Sequence, residues 1–365
     1  MFNMFKSLKQ KLISNRNIFT LITGSVVAQL IIVLILPILT RLWSPDEFGL
    51  FASFIAAVSI LEVLFMGRFD LALMLPKKNE DALHLLYIGF FLSLIFALFS
   101  YLLLVIETIF RFFPYQIIQD WFFLIPLSAV IFSAYSLMLG WNNRLKKYRI
   151  MSSNRILQSI SISSSQIFMG FLYKISLGLI YSDIIGRFIS LILILKNSNF
   201  LEQKIKFNFQ KKITLFKRYK NFLLILAPSS LINVLANQLP FLILPLIFSS
   251  KITGLYFLVF KLLMSPISLI GTPILEIFKN KIQDASNKNE KIKTIFIETL
   301  KKIFLVGFGP ALIFIIIAPK LFLFLFGQEW VDAGRYAQIL TPLAFIKFIS
   351  SPLSYILIFM EKHTL

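Results

Sequence analysis

Long apolar segments alternate with short polar segments along the whole chain. Each apolar segment has about 20 residues or more, the length that an α-helix needs to cross a hydrocarbon core of about 30 Å. Ten such segments lie at residues 18–42, 48–66, 83–106, 117–139, 153–173, 175–195, 221–249, 252–277, 296–318 and 336–360. The pattern therefore predicts an all-α, polytopic membrane protein with about ten transmembrane helices.

The composition agrees with this class and narrows the chemistry. Of 365 residues, 58% are hydrophobic and 15% are charged, whereas soluble domains are roughly half apolar and a quarter charged. The chain has no Cys and two His, which excludes thiol chemistry and a histidine metal cluster. It also has no glycine-rich nucleotide-binding motif and no long outer loop for a catalytic domain. We therefore expect neither an enzyme nor a bound cofactor or metal.

The net charge of +20 is spread over short loops, which favours the lipid bilayer over nucleic acid as the partner. Lys and Arg crowd every second loop, beginning with the N-terminus, as is typical of cytoplasmic loops. The remaining loops hold only isolated cations: Arg41, Arg111, Lys174, Lys251, Lys320 and Arg335. This alternation predicts a multi-pass membrane protein with a cytoplasmic N-terminus.

The segment between the first two spans has the sequence of a helix start. Ser44 is followed by Pro45, and Glu47 comes three residues after the serine. This spacing predicts a capping box with proline in the first turn. Asp46 and Glu47 would also lie at the positive end of the helix dipole, on the outer side of the membrane.

Short motifs recur about 205 residues apart, which indicates an internal duplication. In order, Leu34–Pro37 recurs as Leu242–Pro245, Gly49–Phe51 as Gly254–Tyr256, and Lys78–Ala82 loosely as Lys281–Ala285. A six-helix repeat would place two pseudo-symmetric lobes side by side about an axis along the membrane normal. The second repeat then has four helices of an expected six, which predicts that the last hairpin of a twelve-helix parent is absent.

The duplication divides the chain into four predicted parts. They are a basic cytoplasmic N-terminus at 1–17, an N-terminal lobe of six helices at 18–196, a basic cytoplasmic linker at 197–220, and an incomplete C-terminal lobe at 221–365.

Charged residues inside predicted spans are candidates for function, because they are costly in a membrane. Asp183 and Arg187 share one face of the sixth span and can pair; a purely structural ion pair stays open. Lys261 and Lys347 are central in the eighth and tenth spans, too deep to reach an interface easily. Glu62 lies near the cytoplasmic end of the second span.

Polar residues make two spans unusual. The seventh span carries Asn233, Asn237 and Gln238 among three prolines, which predicts a kinked polar helix that lines a cavity or acts as a gate. Hydrogen bonding between helices remains an alternative. We place Gln29 of the first span in the same polar group. The serine-rich fifth span should face a lumen or a neighbouring helix.

The stretch LPILTRLWSPDEFGLFASF, followed by GRFDLALMLPKKNEDA, resembles the Wzx-type flippases of O-antigen and other polysaccharide repeat units. These belong to the multidrug/oligosaccharidyl-lipid/polysaccharide exporter superfamily. The resemblance is strongest over residues 18–110, and Arg41, Arg68 and Asp70 fall on recurring family positions. It implies two six-helix lobes around a central cavity, in a protein that moves undecaprenyl-pyrophosphate-linked sugar repeats to the outer leaflet.

The resemblance and the buried charges together predict a mechanism of alternating access. Arg187, Lys261, Lys347 and Arg68 would bind the diphosphate of a lipid-linked oligosaccharide, and Asp183, Glu62 or Asp70 would carry a coupling ion. Other membrane proteins of polysaccharide assembly are expected partners. Three alternatives stay open: a drug/cation antiporter of the same superfamily, a membrane glycosyltransferase or polymerase, and a scaffold without transport activity.

Overall fold

The computed structural model describes residues 2–110, 120–172, 177–200, 209–271 and 292–354, with isolated positions at 274–275, 278–279, 282 and 356. The side chains of residues 1–19 lie outside this description, so the predicted basic N-terminus is not tested. Regular structure in the described ranges is helical. The α-helices are α1 (Phe2–Leu42), α2 (Pro45–Met66), α3 (Phe69–Ala72), α4 (Asn79–Phe110), α5 (Leu124–Arg144), α6 (Tyr148–Leu172), α7 (Gly178–Asn197), α8 (Phe209–Asn221), α9 (Ala227–Ile247), α10 (Ser250–Pro266), α11 (Ile292–Phe326) and α12 (Val331–Leu353).

The predicted helical membrane fold is confirmed. In the described ranges, each of the ten apolar segments overlaps a long helix, and eight of the helices described are long and apolar enough to cross a membrane. The other two, α6 and α12, have sufficient length but lower hydropathy. The serines of α6 explain the first case, and Asp332, Arg335 and Lys347 explain the second.

Two groups of helices form the two lobes. The first contains α1, α2 and α4–α7, in which α1 packs along α6, α6 along α7, and α5 against α2 and α4. The second contains α9–α12, in which α12 packs against α10 and α11. The lobes meet mainly where α2 packs against α9 and α10. Aromatic and aliphatic side chains from both lobes form one continuous core across this boundary.

The starts of α2 and α10 cross at two glycines, a contact that we call the glycine crossing. A Cβ atom added to Gly49 would lie 1.8 Å from the carbonyl oxygen of Ser250. A Cβ atom added to Gly254 would lie 1.8 Å from the carbonyl oxygen of Pro45. Both glycines are therefore required for the close approach of the two backbones. The contacts are reciprocal, as expected for two copies of one repeat related by a two-fold axis.

Both helices of the glycine crossing start with a serine cap. The Ser44 side chain accepts a hydrogen bond from the Glu47 amide, and the Ser44 amide donates to the Glu47 carboxylate at 2.8 Å. The predicted capping box is therefore present. At the start of α10, the Ser249 hydroxyl accepts from the amide of Ile252 at 3.2 Å. These bonds satisfy amides that a helix start leaves unpaired, and they fix where each helix begins.

Further contacts near the glycine crossing join the lobes. The Trp330 indole donates a hydrogen bond to the carbonyl oxygen of Thr40 at 3.1 Å, and its ring packs edge-on against Phe48 with centroids 4.9 Å apart. The Ser53 hydroxyl donates to the carbonyl oxygen of Phe241 at 3.0 Å. The lobes are thus closed against each other at the capped ends of α2 and α10.

Arg144, at the end of α5, fastens the loop that connects α3 to α4. Its guanidinium donates to the carbonyl oxygens of Leu73 and Pro76, each at 2.7 Å, and to the Asn79 side chain at 3.0 Å. Three bonds from one planar cation hold the loop in a single position on the first lobe.

Arg144→Ala is expected to release this loop. Hydrogen bonds to a charged group contribute about 1.5–3 kcal/mol each, so protection of residues 73–79 against hydrogen exchange should fall at least tenfold. Arg335→Ala is the control, because Arg335 and Asp332 form an exposed ion pair at 3.3 Å, a type that contributes about 0–1 kcal/mol. Equal exchange in both variants would contradict the role given to Arg144.

Candidate functional site: a charged cavity between the lobes

A cavity of about 220 Å³ lies between the two lobes. Four helices of the first lobe, α1, α2, α6 and α7, form most of its wall, and α10 of the second lobe closes it. Its charged lining residues are Asp183, Arg187 and Lys261. The structure therefore brings together three of the predicted site residues from two distant parts of the sequence.

Asp183 and Arg187 form an ion pair on the face of α7 that lines the cavity. The Arg187 Nε atom lies 2.8 Å from Asp183 Oδ2, and the Asp183 side chain is almost fully buried. The guanidinium carbon of Arg187 also lies 3.6 Å from the ring centroid of Phe132. Pairing and stacking offset the cost of a buried guanidinium and hold it in one orientation.

Lys261 enters the cavity from the second lobe. Its ammonium nitrogen lies 5.3 Å from the ring centroid of Phe257 and within electrostatic range of Asp183 and Arg187. The cavity thus holds two cationic side chains against one carboxylate. Because the three residues come from both lobes, any relative movement of the lobes changes the distance between the two cations.

The serine-rich helix α6 supplies the polar wall of the cavity. Ser163 and Gln166 line it, and Ser159 is buried on the same side of α6. The indole of Trp43 fixes the position of this wall by donating to the carbonyl oxygen of Gln166 at 3.3 Å. The polar face of α6 thus lies against the cavity, as expected for a serine-rich span that faces a lumen or a neighbouring helix.

Glu62 lies in α2, deeper in the first lobe than the cavity. Its carboxylate accepts a hydrogen bond from the Ser136 hydroxyl at 2.5 Å, and Arg187 and Arg68 are within electrostatic range. Arg187 therefore lies between two carboxylates, Asp183 in direct contact and Glu62 further away. This arrangement gives the guanidinium a second acidic neighbour if its pairing changes.

Two residues in this region were not among the predicted site residues. Arg155 lies near the start of the fifth apolar segment, and in the structure it is within α6 and donates to the Ser25 hydroxyl of α1. Tyr135 of α5 is buried, and its hydroxyl lies within electrostatic range of Arg155 and Arg187. The helix α6 begins at Tyr148, seven residues before Arg155, whereas the apolar segment begins only two residues before it. The hydropathy pattern therefore placed Arg155 nearer to the helix end than it is.

Arg68 and Asp70 lie apart from the cavity, in the turn between α2 and α3. Arg68 has a left-handed backbone (φ 57°) next to Gly67 (φ 53°), and its Nε atom lies 3.8 Å from Asp70 Oδ1. Burial raises the pKa of the Asp70 carboxyl, and the nearby Arg68 opposes part of that shift. The prediction that Arg68 shares one cationic cavity with Arg187 and Lys261 is not supported by this position.

Lys347 also lies away from the cavity. Its side chain is exposed on α12, and residues on other faces of that helix, including Ala344 and Phe348, line a separate apolar cavity of the second lobe. A central position in the sequence of a span does not determine which face a side chain occupies. The predicted grouping of Lys347 with Arg187 and Lys261 is therefore wrong for this conformation.

The predicted polar residues of the seventh span do not line the charged cavity. Asn233 and Asn237 are exposed on α9, where the Asn237 amide donates to the carbonyl oxygen of Asn233 at 2.8 Å, and Gln238 is half-buried. A π-helical turn, Phe222–Leu226, comes directly before α9. The seventh span therefore departs from regular α-helical geometry at its start, in this π-helical turn, as well as containing prolines within α9.

Gln29 connects the lobes on the far side of the cavity from the glycine crossing. Its side-chain amide donates to the Ser265 hydroxyl at 2.9 Å, which in turn donates to the carbonyl oxygen of Lys261 at 2.6 Å. Gln29 therefore contacts the turn of α10 that carries Lys261. The predicted role of Gln29 at a cavity or gate stays a prediction.

In the ranges that the structure describes, the fold is that of a two-lobed, helical membrane protein with a charged cavity between its lobes. A search of solved structures found similar folds in proteins described as MATE transporters. An inward-facing multidrug resistance MATE family transporter of the MOP superfamily is 14% identical, with a TM-score of 0.63 over 89% of this chain and 80% of that chain. A MATE structure in complex with MaL6 is 14% identical, with a TM-score of 0.56 over 92% of this chain and 82% of that chain.

The family follows from the sequence. The family model described as "polysaccharide biosynthesis protein" matches residues 38–335. The chain therefore belongs to this family of polysaccharide biosynthesis proteins. A search of curated protein sequences found no significant match.

Proposed function

We propose that this chain is a flippase for undecaprenyl-pyrophosphate-linked oligosaccharide repeat units, located in the inner membrane with a cytoplasmic N-terminus. The family match supports a role in polysaccharide biosynthesis, and the MATE-like fold supports transport across a membrane. A sugar repeat unit is hydrophilic, so a transporter of such units needs a substrate in which the sugar is attached to a lipid that stays in the membrane. A lipid-linked oligosaccharide meets this requirement.

The charged cavity is the observation that carries the proposal. Arg187 and Lys261 provide two cations in an enclosed site, and a diphosphate is an anion that such a pair recognises through charge-assisted hydrogen bonds. A volume of about 220 Å³ is below the usual range of roughly 300–1,000 Å³ for small-molecule pockets. The cavity in this conformation therefore suits the headgroup, and the sugars require the lobes to separate.

Alternating access fits the position of the contacts between the lobes. The lobes touch at the glycine crossing on one side of the cavity and through Gln29 and Ser265 on the other. Breaking one set while keeping the other would expose the cations to one side of the membrane at a time. Asp183 and Glu62, which both lie near Arg187, are our candidates for carrying the coupling ion, together with Asp70.

The second candidate function is a drug/cation antiporter, because a structure of similar fold is described as a multidrug resistance transporter. A cationic drug would need a cavity with excess negative charge. The two cations and one carboxylate of this cavity have the opposite balance, so the flippase remains the function that we propose.

Complementation of a deletion strain tests the function. We expect the gene to restore the surface glycan and to remove the lipid-linked intermediate that accumulates at the cytoplasmic face without it. A strain that accumulates the intermediate despite correct membrane insertion of the chain would rule out flippase activity. Sensitivity of the same strains to cationic dyes separates the two candidates, because only an antiporter would lower it.

A further inference from the structure

The short helix α8 combines a strong positive charge with a direct connection to a membrane-spanning helix. Its thirteen residues contain no acid and carry five cations: Lys211, Lys212, Lys217, Arg218 and Lys220. Through the π-helical turn it continues into α9, so that residues 210–247 form one helical run of 38 residues. At 1.5 Å per residue this run is about 57 Å long, far more than the roughly 30 Å of a hydrocarbon core.

The apolar part of this run begins at Phe222 and fills the core, which leaves α8 outside it. After the exposed cation Lys220, the next exposed apolar side chains are Leu224 and Ile225, about one turn further along the run. Such a change from cationic to apolar within one turn is typical of the boundary between headgroups and acyl chains. The last three cations of α8, Lys217, Arg218 and Lys220, therefore lie at the level of the headgroups.

The apolar face of α8 is already occupied by protein. Leu215 and Tyr219 are buried in the first lobe, and Phe216 stacks on Phe69 with centroids 6.3 Å apart. Lys211 forms ion pairs with Glu80 and Asp81 of α4 at 2.8 and 2.9 Å. The helix is therefore docked along one side and is not free to roll its charges away from the membrane.

A second face remains open, and we call it the cationic face of α8. It consists of Lys217, Arg218 and Lys220, all exposed. In the described part of the chain these three residues form no ion pair with an acidic side chain. An exposed cluster of one sign at headgroup level attracts counter-charge from its surroundings.

We propose that the cationic face of α8 binds the headgroups of anionic phospholipids. Cations close to a membrane surface attract anionic lipids, and the effect adds up over neighbouring residues. Because α8 leads into the first helix of the second lobe, the bound lipids would fix the entry of that lobe at the membrane surface. This site is separate from the charged cavity and does not depend on the substrate.

The absence of cysteine from the chain allows a local test with the full-length protein. Asn221→Cys, an exposed position next to Lys220, is labelled with a fluorophore and reconstituted into nanodiscs. Quenching is compared between phosphatidylglycerol and phosphatidylcholine that carry bromine on their acyl chains, at equal mole fraction. We expect at least a fivefold enrichment of the anionic lipid near the label, which decreases at high salt.

Two triple variants make the test specific. K217Q/R218Q/K220Q should reduce the enrichment to less than twofold, whereas K293Q/K301Q/K302Q, which neutralises exposed cations on α11, should leave it unchanged. Equal quenching by both lipids would overturn the proposal, as would equal losses in the two variants. Loss of enrichment with added inorganic phosphate, but not with chloride of equal ionic strength, would also overturn it in favour of a soluble phosphate ligand.

Discussion

Replacing Arg187 and Lys261 together by Gln is expected to reduce transport of the lipid-linked substrate at least 100-fold. Each cation can make charge-assisted hydrogen bonds to a diphosphate, with about 1.5–3 kcal/mol per bond, or roughly a tenfold change in affinity for every 1.4 kcal/mol. Both side chains line the same cavity, so the two losses fall on the same ligand. The measurement is flipping of a labelled lipid-linked oligosaccharide in proteoliposomes.

Loss of Arg187 alone would leave the buried Asp183 without a partner, which can destabilise the fold by itself. Lys261→Gln and the paired change Asp183→Asn with Arg187→Gln avoid this problem, because neither leaves the buried carboxylate unpaired. Lys347→Gln is the matched control, since Lys347 is an exposed cation of the same lobe as Lys261. If the control loses as much transport as Lys261→Gln, the charged cavity is not the substrate site.

Gly254→Val is expected to prevent closure of the glycine crossing and to open the cavity on that side. A Cβ atom at this position would overlap the carbonyl oxygen of Pro45, and overpacking a tight contact costs typically about 1–3 kcal/mol. The ratio of closed to open molecules should therefore fall by roughly 5-fold to 150-fold. A cysteine placed at Leu39, which lines the cavity, should react at least five times faster with an impermeant maleimide.

Gly309→Val is the control for this experiment. Gly309 is also a helical glycine, but a Cβ atom added to it meets nothing within 4 Å. The reaction at Leu39→Cys should therefore remain slow in this variant. Similar rates in the two glycine variants, or no change with Gly254→Val, would show that the glycine crossing does not control access to the cavity.

The helices could be predicted from the sequence because a membrane imposes a length and a hydropathy on each span. The internal repeat was informative about a single contact as well, because the motif that includes Gly49 recurs at Gly254 and the two glycines meet at the glycine crossing. The partners of the crossing, Pro45 and Ser250, are related by the same interval of 205 residues. A pattern in the sequence thus corresponded to a contact between two lobes.

The site was only partly predictable, because the position of a residue along a span does not determine the direction of its side chain. Asp183, Arg187 and Lys261 meet in one cavity, whereas Lys347, equally central in its span, is exposed on α12. Arg155 was overlooked for the opposite reason. In the sequence it comes soon after a run of loop cations, and only the packing of α6 against α1 shows that it contacts the first helix of the lobe.

The reciprocity of the glycine crossing also affects how the chain can change. In a dimer of identical subunits, one substitution at such a contact would appear twice, on both sides of the two-fold axis. In this single chain Gly49 and Gly254 are separate codons, so each side can be altered while the other keeps its fit. The two halves of the crossing can therefore change independently, a freedom that a symmetric homodimer does not have.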